Sequence, residues 1–112
     1  MFASVILDES PKTVFWHREL PPLKAEPMGE HTIEATSGPV SGTLSHRDAL
    51  WDRCHVDLMT HTRLRLEQEM ARLGGDYAHV LTERIDPHHD EAKGEAWLQG
   101  RFTYVLYRRA DD

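Results

Sequence analysis

The 112-residue chain predicts an α+β domain, a mostly antiparallel sheet with one long helix packed on one face. Three observations carry this. Apolar residues recur at helical spacing through the middle of the chain, and segments of period two lie on both sides of it. Composition is globular rather than disordered or fibrous, with 39% hydrophobic and 29% charged residues and only 7 Gly and 6 Pro. The length suits one domain, 1–112, divided into an N-terminal hairpin (1–19), a Pro-rich connector (20–30) and a strand–helix–strand–strand unit (31–109).

Phe2 to Leu7 and Thr13 to His17 are rich in β-branched and aromatic residues, and Asp8-Glu9-Ser10-Pro11-Lys12 between them is turn chemistry, so a hairpin is expected. From Leu20 to Glu30, Pro21, Pro22 and Pro27 argue against both helix and central strand, which predicts a surface connector. His31 to Thr36 then alternates Ile33 and Ala35 against Thr32, Glu34 and Thr36. Ser37-Gly38-Pro39 interrupts it and Val40 to Leu44 resumes it, as a bent or bulged strand pair would.

The central helix is expected from about His46 to Leu73. Leu50, Cys54, Leu58, Leu66, Met70 and Leu73 form its apolar stripe. Ser45 is the expected N-cap with Asp48 as an acidic capping-box partner, and Gly74 the left-handed residue that closes it. At 1.5 Å per residue this is on the order of 40 Å, against roughly 35 Å for the width of a compact chain of this length. Such a helix either bends at Thr60-His61-Thr62 or packs one end on another subunit, so a homo-oligomer is expected.

Asp76 to Ile85 reads as a strand, Asp86 to Gly94 as a polar loop, and Glu95 to Arg109 as a long last strand. In that strand Ala96, Leu98, Gly100, Phe102, Tyr104 and Leu106 form a core face. Trp97, Gln99, Arg101, Thr103, Val105 and Tyr107 form a mixed face suited to another subunit or a ligand.

A net charge of −6 excludes a broad nucleic-acid-binding face, and a single cysteine, Cys54, excludes an internal disulfide or a Cys-rich zinc site. No stretch approaches the roughly 20 apolar residues of a membrane span, and Met1 to Leu7 lacks the length and basic flank of a secretory signal, so a soluble, cytoplasmic protein without a membrane partner is expected.

Eight histidines raise the question of metal. Cys54, Asp57 and His61 fall within about 60° on the helical wheel, but Cys54 and His61 are roughly 10 Å apart along the axis, too far to share one zinc or form a nucleophile pair. Asp57 and His61 alone are an i,i+4 pair. His88, His89 and Asp90 put imidazole and carboxylate in the polar loop, where a divalent metal is the possible cofactor. His79 shares its strand face with Tyr77 and Leu81 and reads as a satisfied, partly buried histidine. No nucleophile elbow, P-loop or dinucleotide fingerprint is present, so no catalytic residue is assigned.

Val40-Ser41-Gly42, the long helix, the junction Arg72-Leu73-Gly74-Gly75-Asp76-Tyr77-Ala78-His79-Val80 and the closing hairpin resemble the YbjQ-type family of small bacterial proteins, known as heavy-metal-binding domains. The resemblance covers about residues 30–108. It implies a strand–helix–strand–strand unit assembled as a ring-like homopentamer, with metal binding as the family's role. Bulky Tyr77 and His79 and the aromatic last strand depart from the pattern, and no ligand set carries over.

The expected function is a non-enzymatic homo-oligomer that binds a small ligand or metal at a subunit interface. Trp97, Arg101 and Tyr107 would line that surface, with His79, Asp57 and His61 the nearest ionisable groups. The alternatives are a small enzyme using His61 or His79 as general base between helix and sheet, or an interaction adaptor using the Pro-rich connector.

Overall fold

The computed structural model describes residues 13–110. Along the chain run β1 (Val14–Trp16), β2 (Ala25–Thr36), β3 (Val40–Ser41), α1 (Ala49–Leu73), β4 (Tyr77–Asp90) and β5 (Glu95–Arg109). The five strands form one sheet in the order β1-β4-β5-β2, with β3 also on β5. The architecture is α+β, but the sheet is mixed rather than mostly antiparallel. β1 runs parallel to β4, Val14 opposite Ala78, while the ladders of β5 with β2, β3 and β4 are antiparallel. Phe2 to Leu7, the first arm of the expected hairpin, lies outside the described residues. The second arm is β1, and its partner is β4.

β2 and β3 lie end to end along β5, Thr36 opposite Gln99 and Val40 opposite Ala96, so the interrupted alternation is one bent edge rather than two strands paired with each other. At the bend, Ser37 bridges the gap on both sides of Leu98: its N–H donates to the Leu98 carbonyl and its Oγ accepts the Leu98 N–H, both at 2.9 Å.

Two boundaries differ from expectation because of where proline can sit. The connector ends at Lys24, since β2 includes Pro27, and β4 runs through Pro87, His88 and His89 to Asp90, leaving only Glu91 to Gly94 as the turn. The backbone explains both. Tyr107 turns its carbonyl to β4, accepting from Asp76 N–H, whereas Leu98 turns its N–H and C=O to Ser37. Orientation alternates along an antiparallel strand, so odd-numbered β5 residues serve β4 and even-numbered ones serve β2 and β3. Pro87, opposite Leu98, and Pro27, opposite Tyr107, therefore aim their N–H-less nitrogens away from β5, at outer edges unpaired among the described residues. Proline breaks no ladder bond at either place.

α1 begins later than expected. Asp48, not Ser45, is the N-cap: its Oδ1 accepts the Leu50 N–H at 2.9 Å, while Ser45 takes only a turn bond from Asp48 N–H. A carboxylate at this position also meets the positive end of the helix dipole. Gly74 closes the helix at φ 76°, and Gly75 N–H donates to the Met70 carbonyl at 2.8 Å. The helix spans about 38 Å at 1.5 Å per residue and β5 about 50 Å at 3.3 Å per residue, so α1 does not outrun the sheet and its length no longer argues for a second subunit.

Cys54, Leu58, Leu66 and Met70 of α1 share one buried cluster with Val14, Ile33, Ala78, Val80, Leu98, Phe102, Tyr104 and Leu106. Full burial of each large side chain is worth about 1.5–3 kcal/mol. Gly100 makes room within it: a Cβ there would lie 2.5 Å from the Phe102 ring and 3.2 Å from Leu58. Trp97, Gln99, Arg101, Thr103, Val105 and Tyr107 occupy the other face of the sheet and are half-buried or exposed.

Candidate functional site

A cleft of about 630 Å³ opens between α1 and the β2–β3 bend, lined by Gly38, Pro39 and Val40 and by Asp52, Arg53, Cys54, Val56, Asp57 and Thr60. Helical geometry supplies one wall, because residues 53, 56, 57 and 60 recur at three- and four-residue spacing on one face. The bend supplies the other.

Asp57 joins the two walls. Its Oδ2 accepts the Gly38 N–H, and its Oδ1 lies 3.6 Å from His61 Nε2. His61 Nδ1 donates to the Thr36 carbonyl at 2.8 Å. That bond requires the proton on Nδ1, so in the neutral ring Nε2 carries the lone pair. The expected Asp57–His61 pair is therefore present and is tied at both ends to the strand bend. Cys54 is a free thiol, 2% exposed, at the base of the cleft, and Arg53 makes no ion pair among the described residues. Apolar walls from Pro39, Val40 and Val56, with carboxylates from Asp52 and Asp57, suit a small molecule with an apolar body and a cationic or hydrogen-bond-donating head.

The other sequence-predicted site residues lie elsewhere. Trp97, Arg101 and Tyr107 sit on the helix-free face of the sheet, opposite α1 and away from Asp57 and His61. Ten residues separate Trp97 from Tyr107, about 33 Å along a strand, so no single small ligand touches both. Trp97 stacks on His88, with centroids 5.8 Å apart and planes at 13°. Arg101 faces Arg84 directly across the ladder, and Glu34 is its opposite neighbour on β2. His79 is buried and its Nε2 donates to the His17 carbonyl at 2.8 Å, tying β4 to the end of β1. It is a satisfied structural histidine.

The loop proposed for metal is strand, which separates its ligands. His88 pairs with Trp97 and His89 with Ala96, on opposite faces, and Asp90 Oδ1 accepts the N–H groups of Ala92 and Lys93 to close the turn. Among the described residues no group of three His, Cys, Asp or Glu side chains is placed to hold a metal. Glu83 accepts from His17 Nε2 at 3.0 Å, and Glu95 stands opposite Asp90.

Electrostatic perturbation is concentrated at the other end of the helix. The Arg72 guanidinium, hydrogen-bonded to Glu69 at 2.7 Å, holds that carboxyl below its usual range, and Glu69 in turn raises Arg72. Burial raises the Tyr104 phenol, whose hydroxyl has no hydrogen-bond partner among the described residues.

The sequence reading passed over Gly38, Pro39 and Val40 as cleft residues. The signal was present in the Ser-Gly-Pro interruption, but only the chain reversal places that segment beside Asp57. No family model matches the chain, and neither a curated protein nor a solved structure matches it. No helix among the described residues is long and apolar enough to cross a membrane.

Proposed function

We propose that this chain is a non-enzymatic, homo-oligomeric binding module that holds a small ligand in the cleft beside Asp57, at a contact between subunits. The observation that carries this reading is the convergence of the α1 face and the Gly38–Val40 wall around a carboxylate fixed by the Gly38 N–H, with the His61 ring, anchored on the Thr36 carbonyl, 3.6 Å from its other oxygen. Groups already fixed in this way bind with little loss of side-chain freedom. The resemblance to the YbjQ-type family points to assembly as well. A reducing, cytoplasmic setting suits the buried free thiol of Cys54.

Native mass spectrometry of untagged protein, before and after a chelator, tests the reading. The expected result is a discrete oligomer carrying a small added mass that survives chelation and is lost in Asp57→Ala. A bare oligomer would reject the ligand, and a bare monomer would reject the module altogether. An added mass removed by the chelator would place a metal in the cleft instead.

A further inference from the structure

We propose that the outward face of α1 is a two-fold contact with a second copy of this chain, the helices antiparallel about an axis through Thr60. The inference rests on the homo-oligomeric reading above and names its interface.

Val56 is 66% exposed and Leu64 52%, large apolar side chains left open on a helix whose opposite face is core. With exposed Thr60 between them they form an i, i+4, i+8 ridge. Grooves flank it on both sides. One is the 630 Å³ cleft; the other, about 370 Å³, is lined by Trp16, His55, Met59 and Arg63, and both share Val56 and Thr60. A ridge between two grooves is the shape against which a second helix packs.

The charges select the partner and its direction. Arg53 and Glu67 lie seven residues either side of Thr60, Val56 and Leu64 four, and Asp57 and Arg63 three. An antiparallel two-fold brings Arg53 to the partner's Glu67, Asp57 to the partner's Arg63 and Val56 to the partner's Leu64, each contact made twice. A parallel pair would set every charge against its own copy. Arg53 has no ion pair within the described chain, and the Arg63–Glu67 bond, 3.5 Å with side chains 70% and 42% exposed, is a surface pair of little worth. The same arrangement lays the partner's Arg63 and Leu64 over the lip of the cleft formed by Val56, Asp57 and Thr60, so the ligand site is complete only in the dimer.

The test is a charge swap. Sedimentation equilibrium from about 1 μM to about 1 mM, a range that brackets a modest interface, follows the wild type, Arg53→Glu, Glu67→Arg and an equimolar mixture of the two variants. Arg53 is exposed and Glu67 partly so, and circular dichroism checks that both variants keep their helix. The wild type should dimerise, each variant should weaken the dimer about tenfold or more through repeated like-charge contacts, and the mixture should recover it, since every pair is again opposite in sign. A wild-type monomer overturns the inference, as does a mixture that fails to recover. A dimer indifferent to both substitutions also overturns it and moves the interface to another surface, the face of Trp97, Arg101 and Tyr107 being next. Native mass spectrometry of the same samples separates the two proposals: an oligomer that keeps its small mass but is indifferent to both substitutions rejects the helix contact alone, a charge-sensitive dimer without a small mass rejects the ligand alone, and a monomer rejects the helix contact together with the oligomeric reading on which it rests.

Discussion

Asp57 accepts the backbone N–H of Gly38, so a side chain from the third turn of α1 holds the bend at which one sheet edge passes from β2 to β3. The bond is partly buried and charge-assisted, and its loss leaves an N–H without a partner. Asp57→Ala should lower unfolding stability by about 1–3 kcal/mol in urea titration, and Asp57→Asn, which keeps an acceptor, by less. Equal losses would mean that charge alone, not the bond to Gly38, is what matters.

Gly100 is a packing requirement rather than a conformational one. A methyl group there meets the Phe102 ring, which is fully buried and edge-on to Trp16 at 6.1 Å between centroids, so the ring has nowhere to retreat. Gly100→Ala is expected to lose about 1–3 kcal/mol by overpacking. A thermal midpoint within a degree or so of the wild type would show that the core relaxes freely around Phe102.

Tyr104 should make the fold sensitive to alkali. Burial raises its phenol above the ordinary 10.0, so above that pH the unfolded chain releases a proton that the native one retains. Fewer protons on the unfolded state means that stability falls as pH rises through this window, and it is fully present below it. Tyr104→Phe removes a hydroxyl without a hydrogen-bond partner among the described residues. It should leave stability at pH 8 unchanged or raised by up to about 1 kcal/mol and flatten the decline that sets in as pH rises past the ordinary phenol value, as read by urea titration on either side of it.

Pro87 guards an edge. Its nitrogen points away from β5, so Pro87→Val should change monomer stability by no more than about 0.5 kcal/mol. It should also increase aggregation on prolonged heating, measured by light scattering, because the new N–H completes a strand edge that is unpaired among the described residues. A large loss of stability would refute the assigned orientation of the β4 backbone.

Much of the fold was legible because it rests on local patterns. The alternation that put Ala96, Leu98, Phe102, Tyr104 and Leu106 on one face of β5 is the observed core face, and Gly74 closes the helix as its position suggests. Pro27 argues against a strand in sequence, and Pro87 falls in a stretch that reads as polar loop, because sequence does not say which way a strand's amides point. Ser45 was preferred to Asp48 as N-cap because both types cap well, and the choice depends on where the chain leaves the β3 segment. The cleft was not legible at all, since Gly38 and Asp57 are nineteen residues apart and meet only through the turn into α1.

Sequence alone determined which residues are apolar at helical or strand period, and with them the helix, the long last strand and the face each buries. Burial of an amphipathic surface is dictated by spacing along one element, and spacing is written in the chain. Tertiary structure decided that β1 joins β4 in parallel, that Pro27 and Pro87 turn their nitrogens away from β5, that Trp97, Arg101 and Tyr107 lie across the sheet from Asp57 and His61, and that the Ser37–Pro39 bend walls a cleft. Each of these depends on which distant segments become neighbours, and no local period encodes that.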